Sequence, residues 1–448
     1  MLSVSEAEGR AGALVEAALK AGADAADALY IGDGSTEVQV RLGALEDVTR
    51  SEGEEIGLRL FVGKRSASVS SSDLSTDALA ALVERAAAMA REAPEDPYAG
   101  LAPEDRLLRG ATPDMAADDG ADPSPVALKE RALAIEEAAR SVAGITNSEG
   151  AGMSAGRNVI ALATSHGFCR GYTTSGYGAY TSVIGGEGGD MQRDSASHSV
   201  RHYADLDAPE ALGRLAAERT IARLNPVQLA SGTMPILFDP RVGGSLLGAL
   251  LGAISGPSIA RRTSFLLGHE DEALFDPSIV IVDDPHRPRG LKSKPFDGEG
   301  VATRKSRLID GGRLTGWLLN AASARQLGLE TTGHANRGIG GAPGVGATNV
   351  HLEPGPMTPA ALMADVTLGL YVTEMIGSGV NPVTGDYSRG ASGFAIRDGQ
   401  LAEPVDEITI AGNLLAMFRT LAPANDLEHR RAVNVPTLRV DGMTVAGA

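Results

Sequence analysis

The sequence predicts an α+β protein with more strand than helix: an N-terminal domain of helices packed on an antiparallel sheet, then a larger, strand-rich C-terminal domain. Two patterns lead to this prediction. Apolar residues recur at helical spacing at the N-terminus and again just before residue 92, and between these stretches they alternate with polar residues as in half-buried strands. With 448 residues, of which 43% are hydrophobic and 22% charged, the chain can bury a sizeable core.

The N-terminal pattern predicts a helix, followed by strands and then by a second helix. An amphipathic helix comes first, and Val38, Val40 and Leu42 then alternate with polar residues. A second alternating run follows after a glycine-containing break, which predicts an antiparallel meander. Helical spacing returns in "STDALAALVERAAAMARE" at 75–92, where Ser75 or Thr76 can cap the helix. We therefore expect helices on one face of a sheet.

The rest of the chain divides by composition. A stretch rich in Pro, Asp, Gly and Ala indicates a connecting loop, and the next stretch is dominated by Ser, Thr, Gly, Val and Tyr, as in strands. The predicted regions are an N-terminal α+β domain at 1–92, a connecting loop at 93–125, a strand-rich middle region at 126–224 and a C-terminal β-rich domain at 225–448.

Charge and cysteine content exclude several classes of protein. The 40 Lys and Arg residues against 57 Asp and Glu give a formal net charge of −17, which repels nucleic-acid phosphates and anionic lipid. We therefore expect neither nucleic acid nor membrane as a partner. Cys169 is the only cysteine, which excludes an intramolecular disulfide and a cysteine-based zinc ribbon. No signal peptide is visible at the N-terminus, so we expect a cytoplasmic location.

The most unusual segment is "VGGSLLGALLGAISGPSIA", which lies between Arg241 and Arg261 and contains no charge. It is nearly long enough to span a membrane, but its five glycines and one proline argue against a span. It also lacks the lysine of a phosphate-binding loop. Its glycines recur every fourth residue, at one narrow face of a helix. The sequence therefore predicts a buried helix packed tightly along its glycine face.

Short motifs elsewhere are weak. Ser154 lies in "GMSAG", which matches a nucleophile elbow, but the residues after it indicate a strand where the elbow needs a helix. His198 and His202 are four residues apart in an extended stretch, which separates them by about 13 Å. His269-Glu270 begins a zinc motif that the next residues do not complete. Each is better explained as ordinary structure.

Two further features have a structural explanation as well as a functional one. "GIGGAPGVG" at 338–346 is rich in glycine, but it has no following lysine, and a structured loop is the better interpretation. A turn-rich region also carries an acidic cluster, and such carboxylates are more often solvated turn residues than catalytic groups. The cluster consists of Asp283, Asp284, Asp297 and Glu299.

Five long segments, in this order, resemble the TldD/PmbA family, and within it the PmbA (TldE) branch. They are "DPRVGGSLLGALLGAISGPSIARRTSF", "FDGEGVATRKSRLIDGGRLTGWLLN", "GVGATNVHLEPG", "NPVTGDYSRGASGFAIRDGQL" and "EITIAGNLLAMF". The resemblance implies an N-terminal α+β domain and a C-terminal domain built on strands. It also implies a partner, the TldD subunit, which is a zinc metallopeptidase with H-E-x-x-x-H on a helix and a later cysteine ligand.

The resemblance further implies that this chain is the non-catalytic subunit. When the zinc helix of the family is placed on the sequence, its histidine positions fall on Gly248 and Ala253 and its glutamate position falls on Ala249. Glycine and alanine offer neither a metal ligand nor a general base. No cysteine follows Cys169. We therefore expect no metal and no cofactor in this chain, zinc in the partner, and an unfolded peptide as the substrate of the pair.

Candidate peptide contacts lie in two of the matching segments. An extended peptide is bound most simply by strand addition, and the region "TGDYSRGASGF" is the first candidate for contacts in the cleft. An equally open alternative is that Arg389 only pairs with Asp386. The candidate residues are Asp386, Ser388, Arg389 and Ser392, and more weakly Asn349 and Glu353.

Three other functions stay open at this stage. The chain could be a peptidase in its own right, through Ser154 or through a zinc site of scattered histidines. It could be a homodimeric peptide-binding or chaperone-like protein without a peptidase partner, since a homodimer is possible when the chain is expressed alone. An early name in the family mentions DNA gyrase, but direct action on DNA fits poorly with the charge of −17.

Overall fold

One antiparallel sheet joins the two regions that flank the 93–125 segment. In the computed structural model, which describes residues 1–447, this first sheet has the strand order β3-β2-β1-β4-β5-β6. The elements of this half of the chain are α1 Val4–Lys20, β1 Ala25–Arg41, β2 Ala44–Val62, β3 Arg65–Ser71, α2 Thr76–Glu92, α3 Pro125–Arg140, β4 Ile145–Thr164, β5 Cys169–Gly185, β6 Gln192–Val200 and α4 Pro209–Ala222. Because β1 pairs with β2 on one side and β4 on the other, the predicted regions 1–92 and 126–224 share one sheet.

The four helices cover one face of this sheet, and the alternation along β1 shows why. Tyr30 and Val38 are fully buried on the helix-covered face, under α1 and α2 at one end and under α3 and α4 at the other. Leu29 points to the opposite face, where it packs with Phe296 and Val301 of the C-terminal region. The period of two along the strand therefore divides the helical layer from the C-terminal domain.

The alternating pattern of β1 extends one residue less than predicted. Leu42 is 53% exposed and lies in the turn to β2, not in the strand. Leu42 and Gly43 both have positive φ, 51° and 81°, and the flanking Arg41 and Ala44 are paired. A two-residue turn of this kind matches the twist of the strands that it joins.

The C-terminal half contains two larger sheets. Its elements are β7 Gly232–Phe238, α5 Pro240–Ala253, α6 Gly256–Ala260, β8 Ile281–Asp283, β9 Ser306–Asp310, β10 Arg313–Leu314, α7 Ala321–Leu327, β11 Ala335–Asn336, β12 Gly344–Val345, β13 Val350–Leu352, α8 Pro359–Met363, β14 Leu368–Ile376, β15 Asp386–Arg397, β16 Gln400–Asn413, α9 Leu414–Thr420, β17 Ala422–Pro423, β18 Val433–Asn434 and β19 Leu438–Ala446. One sheet has the order β10-β9-β8-β13-β18. In the other, β16-β15-β14-β7-β19-β17, an additional pairing of β16 with β19 closes five strands into a ring.

These elements confirm the predicted fold class. Helices hold 25% of the residues and strands 38%, so strand exceeds helix as the sequence indicated. The C-terminal core contains Ile236, Leu370, Ile410 and Val440, which come from four of the five strands of the ring. Among residues 1–447, no helix is both long and apolar enough to cross a membrane.

The apolar segment after Arg241 differs from its prediction in two respects. It breaks at Ile254 and Ser255 into α5 and α6, and its glycine face is not the buried one. Gly248 and Gly252 are exposed, and a Cβ placed on either would meet no atom within 4 Å. The core instead receives the leucines of α5, at positions 246, 247 and 250. Because burying leucines stabilises the helix far more than burying glycines, the leucine face turns inward.

Candidate functional site

A cleft opens where the first sheet meets the C-terminal domain. It has a volume of about 870 Å³, and a neighbouring cavity of about 440 Å³ continues it along the first turn of α5. On one side lie the ends of β7 and β14, which are parallel neighbours. On the other side lie β6, α4 and the segment 426–435. We call the two connected cavities the arginine cleft, because its lining includes Arg193, Arg219, Arg223, Arg241, Arg389, Arg430 and Arg431.

The local structure of β7 and β14 shapes one wall of the arginine cleft. The side chain of Asp239, which follows β7, accepts a hydrogen bond of 2.8 Å from the backbone N–H of Arg241 and caps α5. The pairing of β14 with β15 shifts between Val372 and Glu374, so Thr373 lies in a bulge. Bulges re-aim side chains, and Thr373 lines the cleft. Parallel strands commonly present ligand-binding residues at their carboxyl ends.

Several arginines in the cleft are neutralised by carboxylates. Arg223 lies 2.6 Å from Glu374, and Arg241 lies 3.1 Å from Asp194 and 3.2 Å from Asp239. Burial alone would lower the pKa of the Arg241 guanidinium, but these two carboxylates raise it above its ordinary value. Paired guanidinium groups of this kind hold the walls of the cleft together and are not available to a ligand.

Three other arginines of the cleft have no such partner. Among residues 1–447, no carboxylate oxygen lies within 4.0 Å of the guanidinium groups of Arg219, Arg389 or Arg431. Arg219 donates to the carbonyl of Ser195 at 3.0 Å, and Arg431 donates to the carbonyl of Arg241 at 2.9 Å. Burial, and then the neighbouring Arg241, lower the pKa of both. An arginine nevertheless remains charged at neutral pH, so these groups carry positive charge without an ion-pair partner among residues 1–447.

Three polar atoms at the cleft also lack hydrogen-bond partners within the described residues. They are the hydroxyl oxygens of Ser245 and Thr373 and the Nε of Arg389, and each atom is buried. Thr373 as a residue is only 7% exposed. A buried polar group without a partner destabilises the fold by about 1–3 kcal/mol, so such groups are rare unless a ligand completes them.

The predicted peptide contacts on β15 divide into one that lines the cleft and three that do not. Arg389 lines it beside Ser245 and Arg431. The carboxylate of Asp386 instead accepts hydrogen bonds from Thr384 at 2.7 Å and from Asn413 at 3.2 Å, and the first of these chiefly lowers its pKa. The alternative in which Arg389 pairs with Asp386 is therefore wrong for the described residues.

The remaining β15 candidates have other surroundings. Ser388 is exposed, and its backbone N–H donates to Gly379 at 2.7 Å. The hydroxyl of Ser392 is buried and donates to Asp406 at 2.7 Å. Moreover, β15 is paired with β14 on one side and β16 on the other, so a peptide cannot add to this strand through its backbone.

Asn349 and Glu353 lie outside the cleft. Asn349 is fully buried, and its side-chain amide donates to the carbonyl of Asp284 at 2.8 Å and to Ser293 at 2.9 Å. These bonds hold a loop in place and leave the amide no capacity for a peptide. Glu353 is near His351, with 3.5 Å between Oε1 and Nε2.

The three positions that correspond to the zinc helix all lie on α5, but they do not face one place. Gly248 is exposed, Ala249 is half-buried and Ala253 is only 4% exposed. None carries a donor atom. In the part of the chain that the structure describes, no group of three or more His, Cys, Asp or Glu side chains is arranged to hold a metal. The residues present do not fit a catalytic zinc ion, which needs about three protein ligands.

The histidines and the serine from the weaker motifs have structural surroundings. Ser154 pairs with Glu37 and Gly178 in the middle of β4, so no elbow forms. His198 lies 3.2 Å from Asp207, and His202 is hydrogen-bonded to the carbonyl of Ala116 at 2.8 Å. His269 contacts Glu272 at 3.0 Å. The segment 338–346 packs against β2, where the carbonyl of Ile339 lies close to Gly57.

No pattern in the sequence predicted that Thr373, Ser245, Arg219 and Arg431 are residues of the cleft. The only local signal was the Arg430-Arg431 pair in an otherwise acidic chain. The expectation that the acidic cluster is solvated is wrong for Asp283, Asp297 and Glu299, which are at most 3% exposed. Asp283 and Asp297 accept backbone N–H groups at 2.8–3.2 Å, and Glu299 accepts the N–H of Ala321 at 2.8 Å.

Three sequence models of one family match most of the chain. They are described as the PmbA/TldA metallopeptidase domain 1 at 26–90, central domain at 118–224 and C-terminal domain at 231–447. The metalloprotease PmbA of Escherichia coli O157:H7 is 37% identical over 412 residues, which are 92% of this chain and 89% of that protein. The chain belongs to the PmbA/TldD family. A PmbA homologue of Haemophilus influenzae, 36% identical over 97% of this chain and 94% of its own length, supports the PmbA branch.

Solved structures of family members have the same fold. A Bacteroides thetaiotaomicron protein named as a candidate modulator of DNA gyrase superposes with a TM-score of 0.92, at 26% identity and with complete coverage of both chains. TldE from Thermococcus kodakarensis gives a TM-score of 0.87 at 22% identity, covering 97% of this chain and 99% of its own. This protein is thus a metalloprotease-like member of the PmbA/TldE branch.

Proposed function

We propose that this PmbA/TldE chain is the non-catalytic subunit of a heterodimeric zinc metallopeptidase that acts on unfolded peptides. In this proposal a TldD-like subunit provides the zinc, and this chain forms part of the cavity and binds the peptide. The main support for the proposal is the residue types on α5. Gly248, Ala249 and Ala253 occupy the positions that correspond to the two histidines and the glutamate of the family's zinc helix. Their side chains cannot bind a metal or accept a proton.

The arginine cleft supports the peptide-binding part of the proposal. Its wall includes β6, which is the last strand of the first sheet and, among residues 1–447, pairs with β5 alone. Side chains from alternate positions of β6, among them Ser195, Ser197 and Ser199, line the cleft. A peptide laid along this strand would gain backbone pairing that tolerates many side chains, whereas β15 has no free edge.

The first experiment is native mass spectrometry of the chain purified together with a TldD-like protein from the same organism. The proposal predicts a one-to-one heterodimer with one zinc ion, and a metal-free chain after the subunits are separated. Peptidase activity on an unfolded protein should require both subunits. A chain that binds zinc alone, or a homodimer with peptidase activity, would contradict the proposal.

Two variants separate this proposal from an independent peptidase. Ser154→Ala and His269→Ala remove the candidate groups outside α5, and we expect the complex to retain its full activity with either change. A loss of about a hundredfold in kcat, in a variant whose heterodimer still forms, would mean that the chain contributes a catalytic group.

A further inference from the structure

The arginine cleft has an unusual charge for this protein. The chain carries a formal net charge of −17, yet the cleft is lined by seven arginines and five carboxylates. Within the described chain, no lysine belongs to this lining. Arginine rather than lysine is the side chain that binds carboxylates through two parallel hydrogen bonds.

The carboxylates of the cleft are already engaged. Asp194, Asp239 and Glu374 contact Arg223 and Arg241. Two more carboxylates lie in the segment 426–435: the side chain of Asp426 accepts the backbone N–H and hydroxyl of Thr437 at 2.9 and 2.7 Å, and Glu428 lies 3.7 Å from Arg430. Arg193 and Arg430 contact Glu149 and Asp207, which lie outside the lining, so the positive charge that remains is that of Arg219, Arg389 and Arg431.

Two of those arginines border one small part of the cleft. Arg389 and Arg431 both line the 440 Å³ cavity at the first turn of α5, together with Ser245. The backbone N–H groups of this turn are already taken, since those of Arg241, Val242 and Gly243 donate to the side chain or carbonyl of Asp239. A bound anion would therefore be held by guanidinium groups and hydroxyls rather than by the end of the helix.

Thr373 is an independent indication of a ligand. It is 7% exposed, and its hydroxyl has no hydrogen-bond partner in residues 1–447. The bulge in β14 directs it to the cleft. A valine would fill the same space without an unpaired hydroxyl. An unpaired hydroxyl in a cleft that also contains guanidinium groups without an ion-pair partner fits a ligand that accepts hydrogen bonds and carries negative charge.

We propose that the arginine cleft binds a carboxylate of the peptide through Arg389 and Arg431, with the hydroxyl of Ser245 as a further donor. The hydroxyl of Thr373, in the adjoining cavity, would donate to a neighbouring part of the same peptide. The inference rests on the proposed function, because a peptide is the ligand that brings the carboxylate. Two sources offer this chemistry, the C-terminal carboxylate and an Asp or Glu side chain. The complex would then favour peptides that place such a group beside α5.

The test uses four fluorescein-labelled, unstructured octapeptides of Ala and Ser. They carry a Glu or a Gln at the seventh position and end in either a free carboxylate or an amide. Binding is measured by fluorescence anisotropy, to the full chain and to the complex with its partner. We expect removal of the recognised carboxylate to weaken binding about tenfold, the effect of one charge-assisted hydrogen-bonded pair. The peptide series shows which of the two carboxylates is recognised.

Variants of the protein identify the site. Arg389→Gln and Arg431→Gln should each weaken binding of the recognised peptide about tenfold and leave binding of the peptide with neither carboxylate unchanged. Arg389→Lys retains the charge but not the two parallel bonds, so it should lie between wild type and Arg389→Gln. The matched control is Arg50→Gln, which removes an exposed arginine from β2, away from the cleft.

The outcomes separate this inference from the proposed function. Equal binding of all four peptides, or an equal loss of charged and neutral peptides in the arginine variants, overturns the carboxylate site even if the zinc heterodimer forms. If the heterodimer does not form but the chain alone binds with the predicted charge preference, the carboxylate site stands and the subunit proposal fails.

Discussion

Two regions of this chain contain buried or half-buried arginines, and they differ in whether a carboxylate lies next to each guanidinium group. Where the first sheet meets the C-terminal domain, Asp27 lies 2.5 Å from Arg59 and 2.5 Å from Arg337, and Glu299 lies 3.9 Å from Arg59. These four side chains are at most 7% exposed. In the arginine cleft, by contrast, Arg389 has no carboxylate near it among the described residues.

This difference in charge pairing indicates a structural role for the Asp27 cluster and a binding role for the arginine cleft. Burial alone would raise the pKa of Asp27, but Arg337 and Arg59 lower it below its ordinary value, so the carboxylate stays ionised between them. The opposite charges of this cluster are in direct contact, and the cluster joins β1 and β2 to the loop before β12. Among residues 1–447, Asp27 Oδ1, Arg337 Nε and Arg337 Nη1 lack hydrogen bonds of good geometry, so unpartnered polar atoms alone do not distinguish the two regions. In the cleft, however, Arg389 and Arg431 have no carboxylate within 4.0 Å among residues 1–447, which is why we assign binding of an anion to the cleft and not to the cluster.

The largest expected effect comes from breaking the cluster. Asp27→Ala leaves two buried guanidinium groups without their carboxylate, which should lower the free energy of unfolding by about 3–5 kcal/mol. Urea denaturation followed by circular dichroism measures the change. The matched control is Glu52→Ala, which removes the exposed partner of Arg50 and should cost less than about 1 kcal/mol. If the two variants lose similar amounts of unfolding free energy, the buried cluster stabilises the fold no more than an exposed ion pair does, and its structural role is wrong.

The buried cluster should also make the stability of the protein depend on pH, through Glu299. Burial, and then the neighbouring Asp297, raise the pKa of Glu299 to about 7, against an ordinary value of 4.5. Between these values the folded protein holds a proton that the unfolded chain releases, so the free energy of unfolding falls as pH rises from about 4.5 to 7. The contribution of this one group is about 3 kcal/mol across that range.

Glu299→Gln tests this sign. Because the amide cannot ionise, the variant should lose less stability than wild type when urea denaturation is compared at pH 5 and pH 7.5. The difference between the two proteins isolates Glu299 from other titrating groups. A wild-type protein that instead gains stability over this range relative to the variant would show that Glu299 is ionised in the folded state.

In the cleft, we expect a substitution to raise the free energy of unfolding rather than lower it. Thr373→Val removes a buried hydroxyl that has no partner, so the free chain should gain about 1 kcal/mol of stability. Thr164→Val is the control: this hydroxyl is equally buried but is hydrogen-bonded to His166 at 2.8 Å, so its removal should destabilise the fold by about 1 kcal/mol. Both are measured by urea denaturation. Destabilisation by Thr373→Val would mean that this hydroxyl already has a partner.

Much of the fold could be predicted because its local patterns are strong. The helix within 75–92 follows from apolar spacing, and of its two possible caps, Ser75 and Thr76, the structure has Ser75, so the helix spans Thr76–Glu92. The buried positions Val38 and Val40 follow from alternation. The pairing of β1 with β4 could not be predicted in this way, since it joins Asp27 to Thr164 and no local pattern selects one partner strand over another.

The cleft was predicted only at Arg389. The other groups beside it come from β14, α5 and the segment 426–435, and no spacing in the sequence relates Thr373, Ser245 and Arg431. Their lack of partners is a property of the packed structure. The same limit explains the error on the glycine face of α5, because periodicity shows that the faces of a helix differ but not which face the core will cover.

The smallest expected effect concerns that glycine face. Gly248→Ala places a methyl group where no atom lies within 4 Å, and alanine favours a helix over glycine, so stability should rise by about 0.5–1 kcal/mol. Gly256→Ala is the control, because its Cβ would lie 2.5 Å from Ser323 Oγ and 2.6 Å from Leu319 Cδ2 and should therefore destabilise the chain. Denaturation of the isolated chain and of the proposed heterodimer measures both. If Gly248→Ala stabilises the isolated chain but weakens the proposed heterodimer, the open face of α5 packs against the partner, and glycine is required there for assembly rather than for the fold of this chain.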